Sequence, residues 1–292
     1  VRGYGEAEYI FSIIKVLAIC GFLILGIVLI CGGGPEGSFI GGKYYRDPGA
    51  FAHGFKGLAT VFVTATYSVG GSEMVAVSGY EAKNPRKQLP SAIKQVFWRI
   101  VLFYIGSLTL ISLLVPANDK RLLSTSSADA SASPFVIAIN NAGIKGLPSV
   151  MNVVIIFSVM SVGNSAVFGC SRTLHSLAVQ GLAPKIFAYI DRMGRPIFGI
   201  LANAITGLLC YIAASDKQSV VFGWLMAICG LAIIFTWLTV CIAHIRFRLA
   251  LRAQGRNLDE VPYVAQSGLW GSILGVIMLV FILILQFWVA LF

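Results

Sequence analysis

Charge is scarce in this sequence. Only 12% of its 292 residues are Asp, Glu, Lys or Arg, against about 25% in soluble domains. Apolar residues make up 57%, more than the surface of a soluble chain this size could hide from water, so an ordinary soluble domain is excluded. Acidic residues are the scarcer sign, 12 against 22 basic, and the net charge is +10. That excess raises the question of a nucleic-acid partner. The basic residues sit between apolar runs and form no single patch, so none is expected.

Other absences narrow the class further. The six cysteines, Cys20, Cys31, Cys170, Cys210, Cys229 and Cys241, are scattered with no C-x-x-C spacing. They read as small apolar residues, not as a disulfide frame or a metal site. His53, His175 and His244 lie in or near polar segments and suggest no metal centre. No span carries paired aspartates, H-E-x-x-H or G-x-S-x-G, which argues against an enzyme, and no cofactor is expected. There is no N-x-[ST] acceptor and no signal peptide. The chain opens Val1-Arg2-Gly3, without methionine, and reads as the interior of something longer.

What the sequence has is long apolar runs. A hydrocarbon core of ~30 Å needs about 20 helical residues. Seven stretches qualify: Tyr9–Cys31, Gly57–Gly79, Val96–Val115, Leu147–Cys170, Ile197–Ala214, Val220–Ala243 and Gly268–Phe292. They lack the period-2 alternation of barrel strands, so the expected fold is all-α, a polytopic membrane protein with one transmembrane domain. Fourteen Lys and Arg fall on one set of connections and seven on the other, with Lys15 inside a span. The richer side, which includes Arg2, Arg86, Arg172 and Arg246, is expected to be cytoplasmic, so the first span starts inside. In the outer loop Pro116–Gly146, Ser133 and Pro134 predict a short interfacial helix, with Ser133 as its cap.

Polar residues at membrane depth mark candidate sites. The second span is centred on Tyr67-Ser68-Val69-Gly70-Gly71-Ser72-Glu73. Two glycines and a carboxylate with no obvious partner suit a helix interrupted there. Such a break frees N–H groups on one side and C=O groups on the other, a pair of ends that fits the two charges of a free amino acid. The other reading is that the glycines admit a neighbouring helix and Glu73 hydrogen-bonds inside the bundle. Lys15 likewise has two readings: a stem that snorkels to the interface, or a buried amine that exchanges a proton or stands in for a cation. In the fourth span, Ser161, Gly163, Asn164 and Ser165 suit either close helix contact or a substrate or ion path. The sixth span carries Phe222, Trp224, Phe235 and Trp237, read as packing or as a lid.

Several stretches carry a family resemblance. Glu81-Ala82-Lys83-Asn84-Pro85-Arg86-Lys87-Gln88-Leu89-Pro90 resembles the E-x-x-N-P-R-K-x-x-P loop of the amino acid–polyamine–organocation superfamily. Gly3-Tyr4-Gly5-Glu6-Ala7-Glu8, Phe11 to Val16, Gly32 to Pro35, Ser161 to Ala166 and His244-Ile245-Arg246-Phe247-Arg248 resemble its fungal amino-acid permease branch, and within it the general amino-acid permease type. The resemblance implies a partial leucine-transporter-type inverted-repeat bundle. The seven spans correspond to spans five to eleven of twelve, and the chain is incomplete at both ends. Spans one to four and twelve would be needed for function.

By the same likeness, Ser68, Val69, Gly70, Gly71 and Ser72 contact the substrate backbone, and Glu73 and Lys15 serve proton coupling, Lys15 in place of a sodium ion. Arginine- and lysine-selective relatives tend to be polar where Gly71 stands, which points to broad or neutral substrates. The expected partners are an amino acid, protons and the bilayer, at the plasma membrane. An amino-acid sensor and an inactive truncated fragment are the alternatives.

Overall fold

The computed structural model describes residues 2–35, 37, 39–49, 54–75, 84–119, 121–122, 133–214, 218–258, 261, 263–265 and 267–291. Several expectations fall outside them: the end of the second span beyond 75, Glu81 to Lys83 of the loop motif, His53, residues 120 and 123–132 of the outer loop, and Phe292.

Every regular element among the described residues is helical. In chain order they are α1 (Arg2–Ile30), α2 (Gly54–Val69), α3 (Pro85–Arg99), α4 (Gly106–Leu114), α5 (Pro134–Asn141), α6 (Leu147–Val179), α7 (Ile197–Gly207), α8 (Gln218–Ala253) and α9 (Gly268–Leu291). A π-helical stretch, Ile100–Ile105, joins α3 to α4, and a 3-10 stretch, Leu208–Ala214, continues α7. Five helices are long and apolar enough to cross a membrane: Gly3–Ile30, Arg86–Leu114, Leu147–Val179, Val220–Ala253 and Gly268–Leu291, with mean hydropathies between 1.8 and 2.9. They make this a multi-pass membrane protein. Large apolar side chains stand exposed along them, among them Ile24, Val162, Ile228 and Phe287. A lipid-facing surface requires such side chains, and a water-facing one would penalise them.

Two of the seven expected stretches form shorter helices. α2 has only 16 residues because it stops at Val69, and α7 has 11 before the backbone tightens into the 3-10 stretch. In the other direction, α1 begins well before Tyr9, which brings Tyr4 and Glu8 onto the helix.

The chain divides into two compact units. The first comprises Val1–Ala50 and Val101–Ser219. Its core joins Phe22 and Leu29 of α1, Leu114 and Val115 at the end of α4, Val136 to Ile139 of α5, and Met151 of α6. α5 therefore differs from the interfacial helix expected. Four consecutive residues of it are at most 2% exposed, packed in one core with α1, α4 and α6, while Asn140 and Asn141 at its end are exposed. Ser133 stands at its N-cap position in extended backbone, but its side chain makes no cap hydrogen bond. The Ser133 carbonyl receives the Ile137 amide instead, at 2.9 Å.

The second unit comprises Phe51–Ile100 and Val220–Phe292. Val63 of α2, Ile234 of α8 and Leu279 of α9 form its core, with Trp237 and Leu238 packed against it. The Gln286 amide reaches the Ala59 carbonyl at 2.8 Å, tying α9 to α2.

Candidate functional site

The interruption lies where the two glycines stand. α2 ends at Val69, residues 70–73 form a turn, and helix resumes at Met74. The Gly70 amide still bonds back to the carbonyls of Thr66 and Tyr67. Gly71 takes φ of +92°, the left-handed region that a side chain disfavours. The amides of Ser72 and Glu73 make no backbone hydrogen bond among the described residues. Gly70 answers a second need. A Cβ there would run into the side chain of Ile233 and lie 3.1 Å from the Tyr67 carbonyl. Both readings of the glycine pair thus apply, one to each residue: Gly71 turns the backbone and Gly70 admits α8.

Glu73 is not the carboxylate without a partner that its position suggested. Its Oε2 accepts the Gly71 amide at 3.2 Å and the indole N–H of Trp237 at 3.1 Å. An acidic side chain just past the break folds back onto the amide that the turn leaves over, while an indole from α8 satisfies the same oxygen. Ser68 sits exposed on the last turn of α2 and donates to the Thr64 carbonyl of its own helix at 2.9 Å. Phe222, Trp224 and Phe235 are exposed along α8, so of the four aromatics Trp237 is the one that meets the break.

Within the first unit, Lys15 forms a separate cluster. In a helix the Cα–Cβ bonds tilt toward the N-terminus, so a lysine stem reaches back along its own face. Residues seven apart share that face. Lys15 Nζ accordingly points back to Glu8 Oε1 at 3.5 Å and donates to Ser161 Oγ of α6 at 2.6 Å. Ser161 Oγ donates in turn to Glu8 Oε1. Ser161 is 1% exposed, while the Lys15 and Glu8 side chains are 29% and 25% exposed. The stem runs in the direction snorkelling requires, yet it ends on a buried hydroxyl.

The contact of α1 with α6 continues on both sides. Tyr4 stacks on Phe168, with centroids 4.3 Å apart, and its hydroxyl lies 3.4 Å from Ser165 Oγ. Arg172 sits over the Phe168 ring, at 4.2 Å, and Phe11 meets Phe157. Residue numbers rise on α1 as they fall on α6, so the two helices run antiparallel. Ser161 and Ser165 are therefore brought to α1, whereas Asn164 is half-buried and makes no side-chain hydrogen bond among the described residues. Gly163 has nothing within 4 Å of a Cβ, so it provides no close helix contact. That role falls to Gly199 of α7, where a Cβ would lie 3.0 Å from the Ser171 carbonyl oxygen.

Sequence reasoning passed over Glu8 and the partnership of Trp237 with Glu73. A Glu and a Lys seven residues apart on one helix was the available signal for the first. For the second there was none, since 164 residues separate the pair.

Comparison with known proteins follows the same lines. The model of the family described as "Amino acid permease" matches residues 1–292. The chain is 57% identical over 292 residues to Amino-acid permease GAP3 of Candida albicans, covering 100% of this chain and 48% of the relative. It is 57% identical over 297 residues to General amino-acid permease GAP1 of Saccharomyces cerevisiae, covering 100% and 49%. It is 60% identical over 291 residues to General amino-acid permease GAP2 of Candida albicans, covering 99% and 50%. The chain thus spans about half the length of these curated relatives.

Proposed function

The chain belongs to the amino acid permease family, and from that premise we propose that it is part of a longer permease that carries amino acids across the plasma membrane together with protons. The observation that carries this reading is the interrupted α2. Its amides at Ser72 and Glu73, without a backbone hydrogen bond among the described residues, suit a carboxylate, and the carbonyl end of the helix before them suits an ammonium group. Ser68 to Ser72 would contact the substrate backbone. Gly71 presents no side chain to the substrate's own, and the word "general" in two relatives' names supports a broad or neutral range.

Glu73 is the proposed coupling carboxylate of this site. Because one oxygen holds both the Gly71 amide and the Trp237 indole, a proton arriving on it weakens two contacts of the break at once. Lys15 takes the place of a coupling cation, held by Ser161 and Glu8. The contacts of Ser161 and Ser165 with α1 favour a part in holding this cluster over a part in an open path, a part left to Asn164. The arginine-rich connections would face the cytoplasm, and spans outside this chain would complete the site.

The test is Glu73→Gln in the full-length permease carrying this chain. Glutamine keeps an oxygen for the two donors and removes the titration. Proton-driven uptake is expected to fall by about tenfold or more while substrate affinity changes by less than about threefold, within the usual range of coupling between two sites. Uptake with the pH dependence of the unmodified permease would refute the assignment.

A further inference from the structure

The cluster on α1 and α6 contains a residue to which nothing above gives more than a holding role. Glu8 is a carboxylate on an apolar helix, and its Oε2 is enclosed without a hydrogen-bond partner among the described residues. An enclosed carboxylate oxygen left unsatisfied is destabilising. Glu8 supplies the counter-charge that the Lys15 ammonium needs among apolar helices, and the arrangement around it allows more than that.

The order of the bonds says more. Lys15 Nζ donates to Ser161 Oγ at 2.6 Å, and Ser161 Oγ donates to Glu8 Oε1. The direct path from Nζ to Oε1 is 3.5 Å, too long for a good hydrogen bond. A hydroxyl that accepts from an ammonium while donating to a carboxylate is arranged for transfer in two linked moves. One N–H bond of Lys15 breaks as that proton bonds to Ser161 Oγ, and the proton Ser161 held bonds to Glu8 Oε1. The result is a neutral amine, an unchanged hydroxyl and a neutral carboxylic acid, with no other reactant.

Position supplies the direction. Glu8 lies two turns nearer the start of α1 than Lys15, about 10 Å along the axis; the Lys15 and Glu8 side chains are alike part-exposed, at 29% and 25%, where Ser161 is sealed at 1%. The helices packed against α1 are α6 and α4, with α5, which carries no titratable side chain, against Phe22. The titratable side chains of α6 are Cys170, Arg172 and His175, at least nine residues beyond Ser161, and α4 has none. On α1 itself, Tyr4 is turned to Ser165 and Phe168. Among the described residues Ser161 is the hydrogen-bond donor to Glu8 and Lys15 its ion-pair partner.

We infer that Glu8 is a proton-relay residue, receiving the Lys15 proton through Ser161 and releasing it at the start of α1. The inference rests on the reading of Lys15 as a coupling group, and the experiment separates the two. The full-length permease carrying this chain is reconstituted in vesicles with a mixture of radiolabelled proteinogenic L-amino acids. Accumulation under an inward proton gradient is compared with tracer exchange at equal amino acid on both sides and no gradient.

Glu8→Gln and Ser161→Ala are each expected to lower the ratio of accumulation to exchange by about tenfold, well inside the range of site-to-site coupling. The double variant falls no further than the lower single, because both changes cut one path. Glu8→Asp recovers part of the loss. Ser161→Ala removes no charge, so the comparison survives if Glu8→Gln fails to reach the membrane.

If a protonophore leaves accumulation by the unmodified permease unchanged, the proton-coupled reading of Lys15 falls and the relay with it. If the unmodified permease is coupled and either variant keeps its ratio, the relay alone is overturned. Equal loss of exchange and accumulation in both variants also overturns it, since that is the mark of a structural role.

Discussion

One methyl group on either glycine of the break is expected to destabilise the protein, for different reasons at the two positions. At Gly71 the cost is in the backbone: φ of +92° disfavours any Cβ, although nothing lies within 4 Å of one. At Gly70 the cost is a collision with the movable end of Ile233. Gly71→Ala is therefore expected to destabilise by about 1–2 kcal/mol whatever its neighbours are. Gly70→Ala is expected to cost about 1–3 kcal/mol as overpacking, and Ile233→Ala should return at least about 0.5 kcal/mol of it. Thermal unfolding of the three single and two double variants in detergent checks this. Rescue of Gly71→Ala by Ile233→Ala would show that the roles assigned to the two glycines are wrong. At this scale the sequence was half legible. Glycine beside glycine before a carboxylate announced the break, because few other reasons put them at membrane depth. Which glycine turns and which admits a neighbour depended on α8, 160 residues away, and no local pattern encodes that.

Among the helices, the apolar run lengths foretold most elements, since a bilayer demands them. Where each helix ends was less visible. α1 begins at Arg2, because Gly3 to Glu8 do not stop a helix, and α2 is cut short by the glycines it contains. The buried α5 passed for an interfacial helix because eight residues reveal their periphery only through their neighbours. The close contact between α6 and α7 yields a prediction about elements. The Gly199 Cβ position is 3.0 Å from the Ser171 carbonyl oxygen and 3.1 Å from its Cα, both backbone atoms that cannot rotate away. Gly199→Val is expected to destabilise by about 1–3 kcal/mol. Gly163→Ala, in open space within α6, should instead stabilise by about 0.5–1 kcal/mol through helix propensity. Melting midpoints that fall for the first and rise for the second would bear this out; the reverse order would remove the tight α6–α7 contact from the account.

For the molecule as a whole, the family was legible from motifs dispersed in order along the chain, and its full-length match bears that out. Activity is another matter, because the chain spans about half the length of the relatives it matches. Substrate sites in inverted-repeat transporters take a broken helix from each repeat. Among the described residues Gly71 alone takes positive φ between two helical segments of one apolar stretch. Residues 1–292 on their own are thus expected not to accumulate amino acids, checked by reconstitution in vesicles with an inward proton gradient. Saturable, gradient-dependent accumulation would show that one half-site suffices.

The bond from Trp237 to Glu73 also gives the protein an optical handle. Indole emission responds to the charge and polarity around the ring, and this indole N–H ends on the carboxylate that folds over the break. The chain has five tryptophans, of which Trp98, Trp224, Trp270 and Trp288 are exposed. With the other four replaced by phenylalanine, the colour of Trp237 becomes a direct report on whether the break is closed over itself or opened, readable in the dark absence of any isotope and before a single molecule has crossed a membrane.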